Sequence, residues 1–479
     1  MTSDPQHQPL AARTAPSDGA SLSAVAAPDR SGLMSRLPAA VQRRVQHLAT
    51  MRDPLLRFAL TRRGLMIGFA VVHGVYLLGL LPTIIAGETQ GDLPLYRLWA
   101  EQARLGYWPV IDMPWVYPAG ALVPIVAPVL AGADAYQLIW FLLMVAANFV
   151  AVLALTGGLR RRSGYLAAWY WLAVQILLAP VSMLRLEGFA APLAIAGLAV
   201  LLRRPAVAGA LLAAATWIKV WPAALVGAAV TISSARWRIV AGGAAVTAVV
   251  AGAIAWYGGA QNLFSFLTIQ GDRSLQLEAP VATPWVWATV LGLPEAEIRQ
   301  NYALATREVA GPGAHLAGEI VGWLMPIACL VIVALLWRAR RRALREGRFR
   351  PRGQLKLILV GGFAIAAALI VFNKVGSPQY MLWLAPIVAV GLAVDRRAWS
   401  RVAGWMAGVC LATTLVFPVL YLPLIDADPF AAGVLLARNV MVGGLFLWSL
   451  VALWRAGTAP QTGRDALRMP VAIAAVARG

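Results

Sequence analysis

Twelve apolar stretches organise this chain, at residues 64–86, 119–131, 136–158, 164–182, 189–202, 205–234, 238–257, 318–337, 355–373, 379–394, 402–422 and 433–454. Lipid offers a backbone no hydrogen-bond partners, so runs of this kind enter it as helices. The pattern predicts an all-α polytopic membrane protein with about 10–12 transmembrane segments. Residues 61–456 form its membrane domain. Residues 1–60, rich near their start in Ala, Pro, Ser and Arg, read as a disordered cytoplasmic tail, and 457–479 as a second cytoplasmic tail. No cleavable signal peptide is visible, so the first span should act as an uncleaved anchor.

The connections between stretches are of two kinds. One kind is basic: Arg62-Arg63, Arg160-Arg161-Arg162, Arg203-Arg204, Arg236 with Arg238, Arg338 to Arg352, and Arg396-Arg397 with Arg401. The positive-inside rule places all of these in the cytoplasm. The run from Arg338 to Arg352 reads as a solvated loop that sets topology. The other connections then face outward and hold fourteen of the 21 acids: Glu88, Asp92, Glu101, Asp112, Asp134, Glu187, Asp272, Glu278, Glu295, Glu297, Glu308, Glu319, Asp426 and Asp428. Two of these outer loops are large, at about 87–135 and 258–317. Acid–base chemistry is therefore available on one face.

Two stretches need a finer reading. A single helix over 205–234 would put its flanking arginines on opposite sides and Lys219 in mid-bilayer. Such a lysine costs roughly 2.5–3.5 kcal/mol on insertion scales. A break at Pro222, with two short helices meeting near Lys219, removes both problems. The stretch 119–131 is too short to span and has outer-face signals on both flanks, so it reads as re-entrant or interfacial. Between them, Gly91 to Arg104 predicts a short helix with Pro94 in its first turn and Asp92, Tyr96, Trp99 and Ala103 on one face.

Composition agrees with a membrane protein: 60% hydrophobic, 13% charged, mean hydropathy +0.70. The net charge of +20 is explained by arginines beside spans and by anionic lipid, not by nucleic acid. Cys329 and Cys410 lie inside apolar stretches and carry no disulfide or metal signal. The four histidines lack ligand spacing.

The candidate chemistry sits in the outer connections. Asp92 could serve as a general base or simply cap the helix that follows. Arg185-Leu186-Glu187 forms a tight turn that could be a local ion pair or a phosphate-binding arginine beside a hydroxyl-orienting acid. Lys219, between Trp217 and Trp221, is a buried membrane lysine or a snorkelling one. Phe372 to Tyr380 gathers Lys374, Asn373, Ser377, Gln379 and Tyr380 in one turn. Tyr107, Trp108, Trp115 and Tyr117 flank Asp112 and read as interfacial belt residues or sugar-stacking rings. The stretch Ala279 to Trp287 could line a mouth. His315, Asp426 and Asp428 are weaker candidates.

The order of these features carries a resemblance. An acid after the first span is followed by Gly106-x-x-Pro109-x-x-Asp112 with Tyr117-Pro118, then Arg185-x-Glu187, Lys219-x-x-Pro222 and Lys374-x-x-Ser377-Pro378-Gln379-Tyr380-x-x-Trp383. Over about 64–455 this resembles glycosyltransferase family 87, the polyprenol-phosphate-mannose-dependent α-mannosyltransferases of actinobacteria. The chain departs from the family pattern at Val110, Ala119 and Glu187. The resemblance implies a GT-C fold and inverting transfer of a sugar, mannose, from a polyprenyl-phosphate donor to a lipid or glycan hydroxyl. The reaction would take place on the outer face of a bacterial cytoplasmic membrane. It implies Asp92 as base, Arg185, Lys219 and Lys374 on the donor phosphate, and Glu187, Gln379, Tyr380, Asp112, Tyr96 and His315 around sugar or acceptor. No metal or other cofactor is required for a phosphate leaving group held by fixed cations. An arabinofuranosyltransferase of the same fold is the alternative enzyme. A flippase of lipid-linked sugars is the alternative of another class, and the lack of internal repeats counts against it.

Overall fold

The computed structural model describes residues 54–271, 273–302 and 306–458, with the side chains of 270 and 271 excepted. The expected tails over 1–53 and 459–479, and Asp272, lie outside the described residues. The chain divides at Arg57 into two compact units, and the fold below is that of the second. Residues Pro54–Ala59 form a one-and-a-half-turn helix, α1, within the segment expected to be disordered.

Seven described helices are long and apolar enough to cross a membrane: α2 (Arg62–Ile85), α5 (Tyr136–Thr156), α10 (Arg236–Trp256), α13 (Ala314–Arg345), α14 (Pro351–Val371), Arg396–Val419 beginning with α16 (Arg396–Thr414), and α18 (Pro429–Thr458). The protein is a polytopic helical membrane protein. The remaining apolar stretches are shorter: α6 (Tyr165–Leu177), α7 (Glu187–Val200), α8 (Pro205–Ile218), α9 (Ala223–Ile232) and α15 (Met381–Val394). The expectation of about 10–12 full segments thus resolves into long spans plus helices of 10 to 14 residues. A helix of 14 residues rises only about 21 Å, less than the roughly 30 Å of a bilayer's hydrocarbon core.

The break in 205–234 is as expected. α8 ends at Ile218, Lys219 is extended (φ −150°, ψ 136°), and α9 begins after Pro222. The re-entrant stretch is a chain of short turns, Ala119–Ala121, α4 (Leu122–Val126) and Ala127–Ala131. The basic run from Arg338 is not a loop for most of its length. α13 carries it as helix to Arg345, and only Glu346 to Arg350 connects to α14.

α14 is the central helix, with 78% of its apolar window buried, whereas α10 is peripheral at 11%. α10 nevertheless touches α8 backbone to backbone. A Cβ on Gly242 would come within 1.9 Å of the Ala206 carbonyl oxygen, and one on Gly209 within 2.0 Å of that of Ile239. Small residues allow such approach where lipid supplies no hydrophobic drive for association. Polar groups also join helices inside the bundle. Asn148 of α5 accepts a hydrogen bond from Trp171 Nε1 at 3.0 Å, and its amide lies 3.3 Å from His73 Nε2.

A layer of loops covers one end of the bundle. It contains α3 (Leu93–Arg104), α11 (Ser265–Gly271), α12 (Thr283–Val290), and an antiparallel hairpin of β1 (Glu297–Asn301) and β2 (Thr306–Ala310). The hairpin is the one departure from an all-α chain among the described residues. Residues 275–277 extend it, because Val309 N–H donates to the Leu275 carbonyl and Leu277 N–H to that of Arg307.

Candidate functional site

A polar cavity of about 370 Å³ lies between the helix bundle and this loop layer. Asp92, Arg185, Lys219, Gln379 and Tyr380, all expected site residues, line it together. They come from four separate connections, so connections expected to share a face are close together in space.

Asp92 precedes α3 at the capping position but does not cap it. Its backbone is helical (φ −88°, ψ −7°) and its side chain makes no cap hydrogen bond. Its carboxylate instead pairs with the Arg185 guanidinium and accepts a 3.3 Å hydrogen bond from the Tyr96 hydroxyl. Both members of the pair are partly exposed to the cavity, at 22% and 18%. Tyr96 is buried beneath Asp92 and does not line the cavity; its role is to hold the carboxylate.

Lys219 reaches the cavity from the α8–α9 break. Its ammonium lies 3.1 Å from Glu187 Oε1 and 4.3 Å from the centre of the Tyr117 ring. Glu187 is completely buried and does not reach the cavity surface. It is the first residue of α7, where the positive end of the helix dipole favours a carboxylate. Tyr117 is pinned by Tyr96, Trp99 and Trp115 in a cluster of ring contacts 5.5 to 6.1 Å apart. Tyr117 is therefore a cavity-wall residue and Trp115 is buried behind it, rather than part of an exposed belt, while Tyr107 is exposed.

Three expected site residues stand elsewhere. The Lys374 ammonium lies 3.9 Å from Glu319 Oε1 and does not line the cavity. Its backbone builds the wall instead: Gln276 N–H donates to the Lys374 carbonyl at 2.9 Å, and Gly376 N–H donates to Gln276 Oε1 at 3.2 Å. These two loops approach so closely that a Cβ on Gly376 would sit 2.1 Å from the Ala279 nitrogen. Asp112 closes its own loop by accepting from Trp108 N–H at 2.6 Å. His315 is exposed in the first turn of α13. Neither lines the cavity. The stretch Ala279 to Trp287 packs on α18, through Asn439 Nδ2 donating to Thr283 Oγ1 at 2.8 Å, and forms no mouth.

The cavity also holds groups not singled out from the sequence: Arg273, Arg307, Glu278, Gln276 and Tyr421. A signal for some of them exists. In Leu275-Gln276-Leu277-Glu278 apolar and polar residues alternate, which in extended chain sends Gln276 and Glu278 to one face. Four cations, Arg185, Lys219, Arg273 and Arg307, thus face two carboxylates, Asp92 and Glu278. Glu278 is backed by buried Arg438, whose Nη2 donates to the Glu278 carbonyl at 2.8 Å and lies 3.7 Å from its Oε2. Among the described residues no three His, Cys, Asp or Glu side chains converge as a metal site.

Burial pushes the Glu278 carboxyl up to about 6, against the opposing pull of Arg438 and Arg185. The folded protein therefore holds this proton to higher pH than the unfolded chain, where the ordinary value is 4.5. Stability contributed by the protonated form is present at low pH and lost as pH rises through about 6. Melting profiles of wild type and Glu278→Gln between pH 4 and 8 should differ by this decline, which is absent in the variant. A pH-independent difference would show that Glu278 ionises like an exposed acid.

Comparison with protein-family models, with curated proteins and with solved structures returns no match to this chain.

Proposed function

We propose that this protein is a GT-C-type glycosyltransferase. It moves a sugar, mannose by the family resemblance, from a polyprenyl-phosphate donor to a lipid or glycan hydroxyl. The observation that carries this reading is the cavity itself. Four cations and a carboxylate on a short helix share one polar space at one end of a membrane bundle. A donor whose tail lies in lipid and whose phosphate lies at the bilayer surface can reach such a place.

In the proposed step the acceptor oxygen forms a bond to the anomeric carbon as the bond from that carbon to the phosphate oxygen breaks. The acceptor proton passes to Asp92, and the electron pair leaves with polyprenyl phosphate. Charge grows on the phosphate, and Arg185, Lys219, Arg273 and Arg307 supply fixed positive charge for it. Arg185 links the two halves of the step, because its guanidinium already holds the Asp92 carboxylate. A phosphate drawing on Arg185 would weaken that pair and make Asp92 a stronger base. Gln379, whose Oε1 accepts from Ser377 Oγ at 2.5 Å, is held with its amide nitrogen available for a sugar hydroxyl. The site faces outward from the cytoplasmic membrane, because the arginine-rich connections lie at the other ends of the helices.

The test is direct. Purified protein in nanodiscs is given polyprenyl-phosphate mannose, glucose or arabinose with membrane-lipid acceptors, and acceptors are read by mass spectrometry. One added hexose from the mannose donor is the expected result. Addition of a pentose would move the assignment to the arabinofuranosyl reaction. Donor crossing between leaflets with no glycosylated acceptor would replace transfer by flipping.

A further inference from the structure

A second cavity, of about 1210 Å³, lies at the other ends of the helices that build the first. Arg185 and Tyr380 reach the candidate site just before α7 and α15 begin, whereas Leu198 to Arg203 and Val390 to Asp395 line the second cavity where these helices end. The proposed reaction does not use it.

Its charge is lopsided. Seven cations line it against two carboxylates, Glu346 and Asp395. Glu346 is taken by Arg342, at 2.7 Å, and by Arg348; Asp395 is taken by Lys356 at 2.7 Å. Arg161, Arg203, Arg350 and Arg352 have no ion-pair partner among the described residues. Membrane topology needs arginines near span ends, but it does not need them gathered around a cavity between six helices. The walls between them are apolar, from Leu155, Leu198, Leu355, Val390 and Val394.

We propose that this cavity binds the headgroup phosphate of an anionic membrane lipid. Guanidinium groups match phosphate oxygens in pairs, and the four arginines come from three separate stretches of chain, so they can approach one phosphate from several sides. The apolar walls fit the glycerol and first acyl carbons, and the cavity opens where membrane helices end. A free phosphate ion uses the arginines but gains nothing from those walls, which favours the lipid.

The experiment uses the full chain in a neutral detergent. Phosphatidylglycerol, phosphatidylcholine and inorganic phosphate are added separately, and binding is read by native mass spectrometry and by melting temperature. Three proteins are compared: wild type, Arg350→Gln/Arg352→Gln, and Arg62→Gln/Arg63→Gln. The last loses the same charge from the exposed start of α2, which does not line the cavity. Phosphatidylglycerol should stay bound to wild type and raise its melting temperature, and phosphatidylcholine should do neither. Arg350→Gln/Arg352→Gln should weaken phosphatidylglycerol binding by about tenfold or more, as juxtamembrane cations contribute roughly additively. Equal weakening in Arg62→Gln/Arg63→Gln would overturn the site, leaving general charge attraction. Equal retention of phosphatidylcholine, or inorganic phosphate stabilising as well as the lipid, would overturn the headgroup assignment.

Discussion

Asp92→Asn should lower sugar transfer by about 10²–10⁴-fold while the protein still folds. Asparagine keeps the size of the side chain and can accept from the Tyr96 hydroxyl, but it cannot take the acceptor proton. The alternative role, capping α3, is removed by geometry, since the Asp92 side chain bonds no helix N–H. Loss of the pair with Arg185 should cost little stability. Both groups still reach cavity water, and the asparagine amide oxygen can accept from the Arg185 guanidinium in place of the carboxylate. Turnover with a defined donor, measured beside a melting curve, separates the two effects. Undiminished turnover in a folded Asp92→Asn would remove Asp92 as base. Glu278 would take its place, being the other carboxylate that lines the cavity.

Lys219→Met should destabilise the protein by about 3–5 kcal/mol and abolish productive donor binding. The reason is the asymmetry of its ion pair. Lys219 retains 15% exposure and a contact with Tyr117, whereas Glu187 is completely buried. Removing the lysine strands a buried carboxylate; removing the acid strands a cation that can still turn to the cavity. Glu187→Gln should therefore be milder than Lys219→Met. The double variant Lys219→Met/Glu187→Gln should recover most of the lost stability, because no buried charge remains unpaired. It should not recover transfer, because the phosphate still lacks a cation. Melting curves and donor kinetics for the two single variants and the double complete the cycle. A Lys219→Met protein that melts like wild type would mean that the pair with Glu187 contributes nothing to stability. A double variant with normal donor kinetics would make Lys219 purely structural.

Legibility followed the range of the physics. The break at Lys219 and Pro222 could be read because a charged residue and a proline in an apolar run have local costs. The start of α3 was legible through Pro94. That Asp92 does not cap this helix was not legible, because a capping and a non-capping aspartate look alike in sequence and differ only in where the carboxylate points. Lys374 shows the reverse case. A turn dense in donors marked its place correctly, yet its backbone serves the cavity and its ammonium lies near Glu319. Arg273 and Arg307 were missed because an arginine in a long loop carries no local signal of its destination.

The sequence by itself determined that this is a helical membrane protein, where its apolar segments lie and where one of them breaks. Each of those follows from the transfer of short segments between water and lipid and from charge beside them. Only the tertiary structure decided which outer residues meet, because residues as distant as Asp92, Arg185, Lys219, Arg273 and Gln379 come together through packing. It also decided that Glu187 serves Lys219 from beneath and that four arginines converge at the opposite end of the bundle. Ion-pair choice and cavity formation depend on distances of a few ångström between chain segments, and no local pattern encodes them.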